Sequence, residues 1–210
     1  MQFHKEWTPA ALSADLSAAT AMPVRSAEGD LALWRSASSR LTASDDRCPH
    51  RGMRLSHGFV RGEALSCIYH GWRYGNDGQC LAIPAHPDLE PPKTIRVETY
   101  PVVEQDGVIW IGRRGATGSP PRLEGKSPVR TISIQATIEA IEAAAGVKAN
   151  AEGLLHMTAL NALIGHCENG ETVVHVLVEA DADGASRIAA SRAAEALRRN
   201  AETGLMKGAA

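Results

Sequence analysis

Aromatic residues are few, four Trp, three Tyr and two Phe, and none of them falls after Trp110. Any core built by the C-terminal third must therefore be aliphatic. Cysteine is also scarce: four in 210 residues do not make an extracellular disulfide framework and point instead to reduced thiols or metal ligands. Neither sign of charge dominates, because 22 Lys and Arg stand against 24 Asp and Glu for a formal net charge of −2. That balance gives no general attraction for nucleic acid or for an acidic membrane, and neither is expected as a partner. No stretch approaches the roughly 18 consecutive apolar residues of a spanning helix. The opening MQFHKEWTPAALSADL carries Glu6 and Asp15 and lacks the apolar centre of a signal peptide. The expectation is a cytoplasmic globular protein, with 44% hydrophobic residues to form one large domain or two small ones.

The densest chemistry lies in CPHRGMRLSHGFVRGEALSCIYHGWRY, from Cys48 to Tyr74. It contains two short donor pairs, Cys48-Pro49-His50 and Cys67-Ile68-Tyr69-His70, separated by a hairpin-sized insert. Each pair supplies one thiolate and one imidazole. Two thiolates for one iron and two imidazoles for the other make up the ligand set of a Rieske [2Fe-2S] centre. Four such donors could instead hold one zinc ion, but structural zinc sites usually pair like ligands, as C-x₂₋₄-C and H-x₃₋₅-H, and the alternating order here fits that poorly.

Several runs together resemble the Rieske domain of the Rieske non-haem iron, aromatic-ring-hydroxylating oxygenases. They are DDRCPHRG at Asp45 to Gly52, CIYHGWRY at Cys67 to Tyr74, Asp77-Gly78, and Ile83-Pro84-Ala85-His86-Pro87. The resemblance implies that Cys48 and Cys67 bind one iron and His50 and His70 the other, with Gly52 and Gly71 letting the backbone pass close to the sulfides. Respiratory-complex Rieske proteins tie the two loops with a disulfide, whereas Met53 and Tyr69 occupy those places here. Trp72 stands where those proteins put a serine hydroxyl near a sulfide, while Tyr74 keeps the phenol position. Hydrogen bonds to the sulfurs stabilise the reduced cluster, so losing one predicts a centre toward the low end of roughly −150 to +300 mV. The resemblance further implies a reductase or ferredoxin as electron donor, a catalytic oxygenase subunit as acceptor, and a homo-oligomer. Arg47, Arg51, Arg54, Arg61 and Arg73 surround the donor loops. They either pair with Asp45, Asp46 and Glu63 or form a basic docking face.

Along the chain, Thr8-Pro9 reads as the start of a short helix. Ala21 to Arg25, Asp30 to Arg35 and Arg40 to Ala43 read as short strands. Phe59 to Gly62 with Ala64 to Cys67 reads as a hairpin, and Ile95 to Tyr100, Val102 to Gln105 and Val108 to Ile111 as further strands. Trp7 and Trp110 are expected in cores, as is Cys80, with Cys167 a reduced thiol. The expected architecture is a mainly β Rieske domain over residues 1–112, with antiparallel sheets and two cluster-binding loops. A Gly- and Pro-rich linker at 113–128 follows, then a small α+β unit at 129–204 and a tail at 205–210.

The second unit is rich in alanine. Val129 to Ala136 reads as a strand, Thr137 to Ala145 as a helix stopped by Gly146, Leu154 to Leu163 as a second helix, Thr172 to Glu179 as a strand, and Ala185 to Arg199 as an amphipathic helix. A complete oxygenase of this family also holds a mononuclear Fe(II) through two histidines and a carboxylate. The nearest candidates are Glu152, His156 and His166, with Glu168 as an alternative carboxylate, but Asn161 stands where the second histidine belongs. The leading expectation is therefore one-electron transfer through the cluster in an oxygenase system acting on aromatic or similar apolar substrates. The alternatives are an oxygenase with a reduced catalytic domain of its own, and a zinc-stabilised interaction module.

Overall fold

The computed structural model describes residues 6–207. The chain opens with β1 (Trp7–Leu12), β2 (Thr20–Ser26), β3 (Gly29–Arg35) and β4 (Leu41–Asp45). After the first donor pair come β5 (Phe59–Arg61) and β6 (Ala64–Ser66), and after the second β7 (Arg73–Tyr74) and β8 (Cys80–Ala82). Three strands follow, β9 (Thr99–Tyr100), β10 (Val102–Gln105) and β11 (Val108–Gly112). The remainder is β12 (Lys126–Ile134), α1 (Ile138–Ala145), β13 (Leu154–His156), β14 (Asn161–Glu168), β15 (Glu171–Glu179) and α2 (Gly184–Lys207). The fold is mainly β, as expected, and all the strand pairings given by register are antiparallel.

The chain divides into two compact units. One comprises Ser13–Val103 with Ile111–Gly118. Its sheets run β2-β3-β4-β9 and β5-β6-β7-β8. Trp34, Leu55, Val60, Leu65, Tyr74, Ile83 and Val97 form its core, and Cys48, Cys67 and Cys80 belong to the same cluster. Of the expected strand from Ile95 to Tyr100, only its last two residues are β9. The preceding stretch stays extended beside the β7–β8 turn, where Cys80 N donates to Ile95 O and Val97 N to Gly78 O. Gly78 must be glycine, because its φ is +80° and a Cβ would lie 2.1 Å from the Val97 carbonyl oxygen.

The other unit takes the described residues up to Leu12, then Glu104–Trp110 and Ser119 onward. This corrects the expected boundary at 112, and the reason lies in backbone pairing. β1 adds to β11 and β10 in a three-stranded sheet. It also approaches β14 so closely that a Cβ on Gly165 would sit 3.1 Å from Pro9 O. The segment expected as a linker is clasped at Ser119 to Leu123: Gln105 donates to the carbonyls of Pro120 and Pro121, and Asp106 accepts from Leu123 N at 2.8 Å.

The sheet β12-β15-β14-β13 carries α1 and α2. Ile132, Ile134, Leu155, Ala162, Ile164, Val174 and Val176 pack with Ile141 of α1 and with Ala190, Ala194, Leu197 and Ala201 of α2. As expected, Gly146 ends α1, at φ +70°; the helix begins one residue later than expected, because Thr137 is its N-cap and accepts from Ala140 N. Two expected helices are strands. Thr8-Pro9 lies in β1, at a sheet edge where proline's missing N–H is tolerated. Leu154 to Leu163 spans β13, a turn and the start of β14. There both faces are buried, so no alternation marks the strand and the apolar spacing imitates a helix. The last helix runs past the expected end at Arg199 to Lys207, into the expected tail, and residues 208–210 lie outside the described part.

Candidate metal centre

The two donor pairs occupy two loops closed in the same way. In the first, Gly52 N donates to Cys48 O at 2.8 Å and Cys48 N to Met53 O at 2.9 Å. In the second, Gly71 N donates to Cys67 O at 3.0 Å and Cys67 N to Trp72 O at 2.9 Å. Each loop turns at its glycine, with φ of +71° at Gly52 and +72° at Gly71, a backbone conformation other L-residues resist. The glycines are thus demanded by the turn itself. Gly71 has a second constraint, since a Cβ there would meet Pro84 Cγ at 3.1 Å.

This closure sorts the donors by depth. Cys48 and Cys67 are 3% and 2% exposed and form part of the hydrophobic core. The imidazoles stand further out, His50 half-buried and His70 exposed. The two rings lie edge to face, with centroids 4.5 Å apart and planes at 65°. Trp72 stacks flat on His50 at 4.4 Å and 5°, and the Tyr69 ring lies 3.9 Å from His70. Tyr74, buried opposite Cys80 in the β7–β8 register, brings its hydroxyl to 3.1 Å from Cys48 Sγ, placed to donate to a thiolate.

The first loop is braced at its base. Asp46, 1% exposed, accepts from Ser56 N at 2.6 Å and Ser56 Oγ at 2.8 Å, and lies 3.5 Å from Arg54. Asp45 accepts from the Tyr100 hydroxyl at 2.7 Å. Of the arginines, Arg54 is engaged by Asp30 and Asp46, and Arg61 lies over the Phe59 ring. Glu63 is taken by Ser38. Arg47, Arg51 and Arg73 remain exposed.

The donor set fits a metal cluster. Burial pushes the Cys67 thiol above its usual range, and the neighbouring Cys48 adds to that, so Cys67 holds its proton unless a cation replaces it. Burial, with the nearby His70 and Arg51, lowers His50, favouring the neutral imidazole that metals bind. His50 Nδ1 is buried with no hydrogen-bond partner, a lone pair that an iron would satisfy. Among the described residues, no three His, Cys, Asp or Glu side chains converge on a single ion position. Two thiols and two imidazoles are the donor set of a Rieske pair of irons, the thiolates on one and the imidazoles on the other.

The mononuclear iron candidates are not brought together. His156 lies on β13 with Nδ1 2.8 Å from Asn161 Oδ1. His166 lies on β14, with Nε2 3.7 Å from Glu168. Glu152 is exposed in the turn before β13, its N–H bonded to Asn150.

Buried thiols beneath outward-facing imidazoles, on twin loops, define a mixed-ligand iron–sulfur module. Residues 6–101 match the family model described as the Rieske [2Fe-2S] domain. The oxidoreductase NdmD of Pseudomonas putida is 40% identical over 117 residues, covering 55% of this chain and 19% of that protein. The 4β-methylsterol monooxygenase of Methylococcus capsulatus is 43% identical over 122 residues, 53% of this chain and 32% of that protein. Residues 6–101 thus form a Rieske [2Fe-2S] domain, whose cofactor is the Rieske cluster, and the relatives that match it include proteins named as a monooxygenase and a dioxygenase oxygenase subunit. In those matches it spans about a fifth to a third of the relatives' length. Solved structures share the fold more widely. Dicamba monooxygenase bound to dicamba gives a TM-score of 0.76 at 17% identity, covering 96% of this chain and 86% of that one. NdmB of Pseudomonas putida gives 0.70 at 17%, covering 93% and 81%.

Three features of the site escape sequence reasoning: the Trp72 stack on His50, the Asp46–Ser56 brace and the Pro84 contact on Gly71. The only signal for the brace is an acidic residue two places before Cys48. The other two are tertiary contacts.

Proposed function

We propose that this chain is the electron-transfer part of a Rieske oxygenase system, with Cys48 and Cys67 holding one iron and His50 and His70 the other. The observation that carries this is the sorting of donors by depth, which buries the thiols and leaves the imidazoles toward solvent. When bound, the [2Fe-2S] cluster supplies reversible one-electron chemistry with little rearrangement. The protein's part is to hold its donors rigid between redox states, through the paired loop closures and the Asp46 brace. Trp72 fixes the plane of His50, and the Tyr74 hydroxyl donates to Cys48. The exposed edge of His70 is the route toward a partner carboxylate, and through it the coupling of potential to pH.

The partners in this reading are an NAD(P)H-fed reductase or ferredoxin as donor and a separate catalytic iron as acceptor, the latter reached across a subunit boundary in a homo-oligomer. Arg47, Arg51 and Arg73 provide a basic face for the donor. The substrates of the whole system are aromatic or similar apolar molecules, in line with relatives named for a methylsterol and for 3-chlorobenzoate. Counting metal and acid-labile sulfide in anaerobically purified protein tests the reading. Two irons and two sulfides per chain are expected. Three irons would move the catalytic site into this chain, and one zinc would end the redox reading.

A further inference from the structure

The C-terminal unit holds an open cavity of about 760 Å³ between the β13–β14 connection, the end of β15 and the start of α2. That lies within the roughly 300–1,000 Å³ of small-molecule sites. Its polar wall is a chain of hydrogen bonds. Lys126 Nζ donates to both Glu179 carboxylate oxygens, at 2.7 and 2.9 Å. Asn161, only 7% exposed, donates from Nδ2 to Glu179 Oε1 at 3.3 Å, and its Oδ1 lies 2.8 Å from His156 Nδ1.

The direction of the chain fixes the chemistry at its end. With the Asn161 amide nitrogen committed to Glu179, the amide oxygen faces His156, so His156 Nδ1 carries a proton and donates. In the neutral form of the ring that hydrogen bond makes Nε2 the acceptor. Met157, Leu160, Val178 and Ala189 supply apolar wall around it. The carboxylates lining the cavity are Glu179, Asp181 and Asp183, and Asp183 is spent on capping α2 through Ser186 N at 2.8 Å. No lysine or arginine lines it.

We propose that this cavity binds a small neutral or cationic organic molecule, which donates a hydroxyl or N–H to His156 Nε2 and rests its apolar body on Met157, Leu160 and Val178. An anionic ligand of the same shape is disfavoured, because Asp181 and Asp183 line the cavity with negative charge and the one cation of its hydrogen-bonded wall, Lys126, is taken up by Glu179. Asn161 and Glu179 are positioning residues here, acting through the imidazole. Recognition runs through a hydrogen bond rather than a metal.

Tyramine and 4-hydroxyphenylacetate, a cationic and an anionic phenol of similar size, make the test. Their affinities for the full chain are measured by calorimetry, alongside the ¹⁵N resonances of His156. Tyramine is expected to bind at least tenfold more tightly than 4-hydroxyphenylacetate. It should also move an Nε2 resonance that is unprotonated in the free protein. His156→Ala should weaken it about tenfold, equivalent to ~1.4 kcal/mol, and Ala189→Trp, at an exposed helix position on the cavity wall, should abolish binding. Both substitutions lie at exposed positions, so the fold survives them. The proposal is overturned if tyramine does not bind, if the two phenols bind equally, if either variant leaves the affinity unchanged, or if Nε2 is the protonated nitrogen.

Discussion

At the scale of single residues, the Tyr74 hydroxyl 3.1 Å from Cys48 Sγ is the clearest lever on redox potential. Reduction adds negative charge to the centre, so a donor to its sulfur stabilises the reduced form more than the oxidised one. Burial, with the three neighbouring cysteines, pushes the Tyr74 phenol far above its ordinary range, so it stays a donor at every working pH. Tyr74→Phe is expected to lower the midpoint potential by about 60 mV, the one-electron equivalent of ~1.4 kcal/mol. Protein-film voltammetry measures this, and an unchanged potential removes Tyr74 from that role. The four candidate donors could be picked out in the sequence by residue type, spacing and flanking runs, and the structure sets them on two loops with the imidazole rings 4.5 Å apart. The stacking of Trp72 on His50 was not, because it depends on how two loops face each other, and the sequence suggested only that a hydroxyl was missing there.

Among the elements, α1 shows how a short helix is held in place. Glu142 near its end is 7% exposed, and its carboxylate accepts from Lys148 Nζ at 2.6 Å and Ala149 N at 3.0 Å, tying the helix to the chain that leaves it. The bond from Lys148, more than any other contact, holds the Glu142 carboxyl below its usual range. A carboxylate whose pKa is lower folded than unfolded stabilises the fold above the ordinary glutamate range and loses that contribution as pH falls through its folded value. Glu142→Gln should therefore cost about 1–2 kcal/mol at pH 7, with the gap from wild type closing below about pH 4. Denaturant titrations at a series of pH values check it, and a gap constant with pH contradicts it. The Gly146 stop of α1 could be read directly from the chain. β13 and β14 could not, because strands buried on both faces show no period of two, and Leu154, Leu155 and Ala162 fall by chance at helical spacing.

Taken whole, the molecule divides its chemistry by unit. The Rieske unit carries six of the nine aromatic residues and the paired loops, while the other unit, apart from Trp7 and Trp110, is built on an aliphatic sheet and helix layer with its own cavity. Composition foretold that contrast. The path of the chain between units was not foretold, because the pairing of β1 with β11 and the clasp of Gln105 and Asp106 on residues 120–123 are long-range contacts that leave no local pattern. On the Rieske domain, the exposed Arg47, Arg51 and Arg73 predict salt-sensitive docking. The second-order rate of reduction by an acidic [2Fe-2S] ferredoxin should fall as salt is raised, and Arg51→Glu should lower it severalfold at low salt. A rate indifferent to both would leave these arginines as ordinary surface charge.

The central claim is that two imidazoles and two thiolates from the paired loops share one diiron centre. Pulsed EPR of the reduced protein, resolving ¹⁵N hyperfine couplings after histidine labelling, tests it most directly. The expected spectrum shows couplings from two histidine nitrogens, with one lost in His50→Ala or His70→Ala should a cluster still assemble. A reduced cluster with no histidine coupling, or one whose couplings survive in both variants, would contradict the assignment.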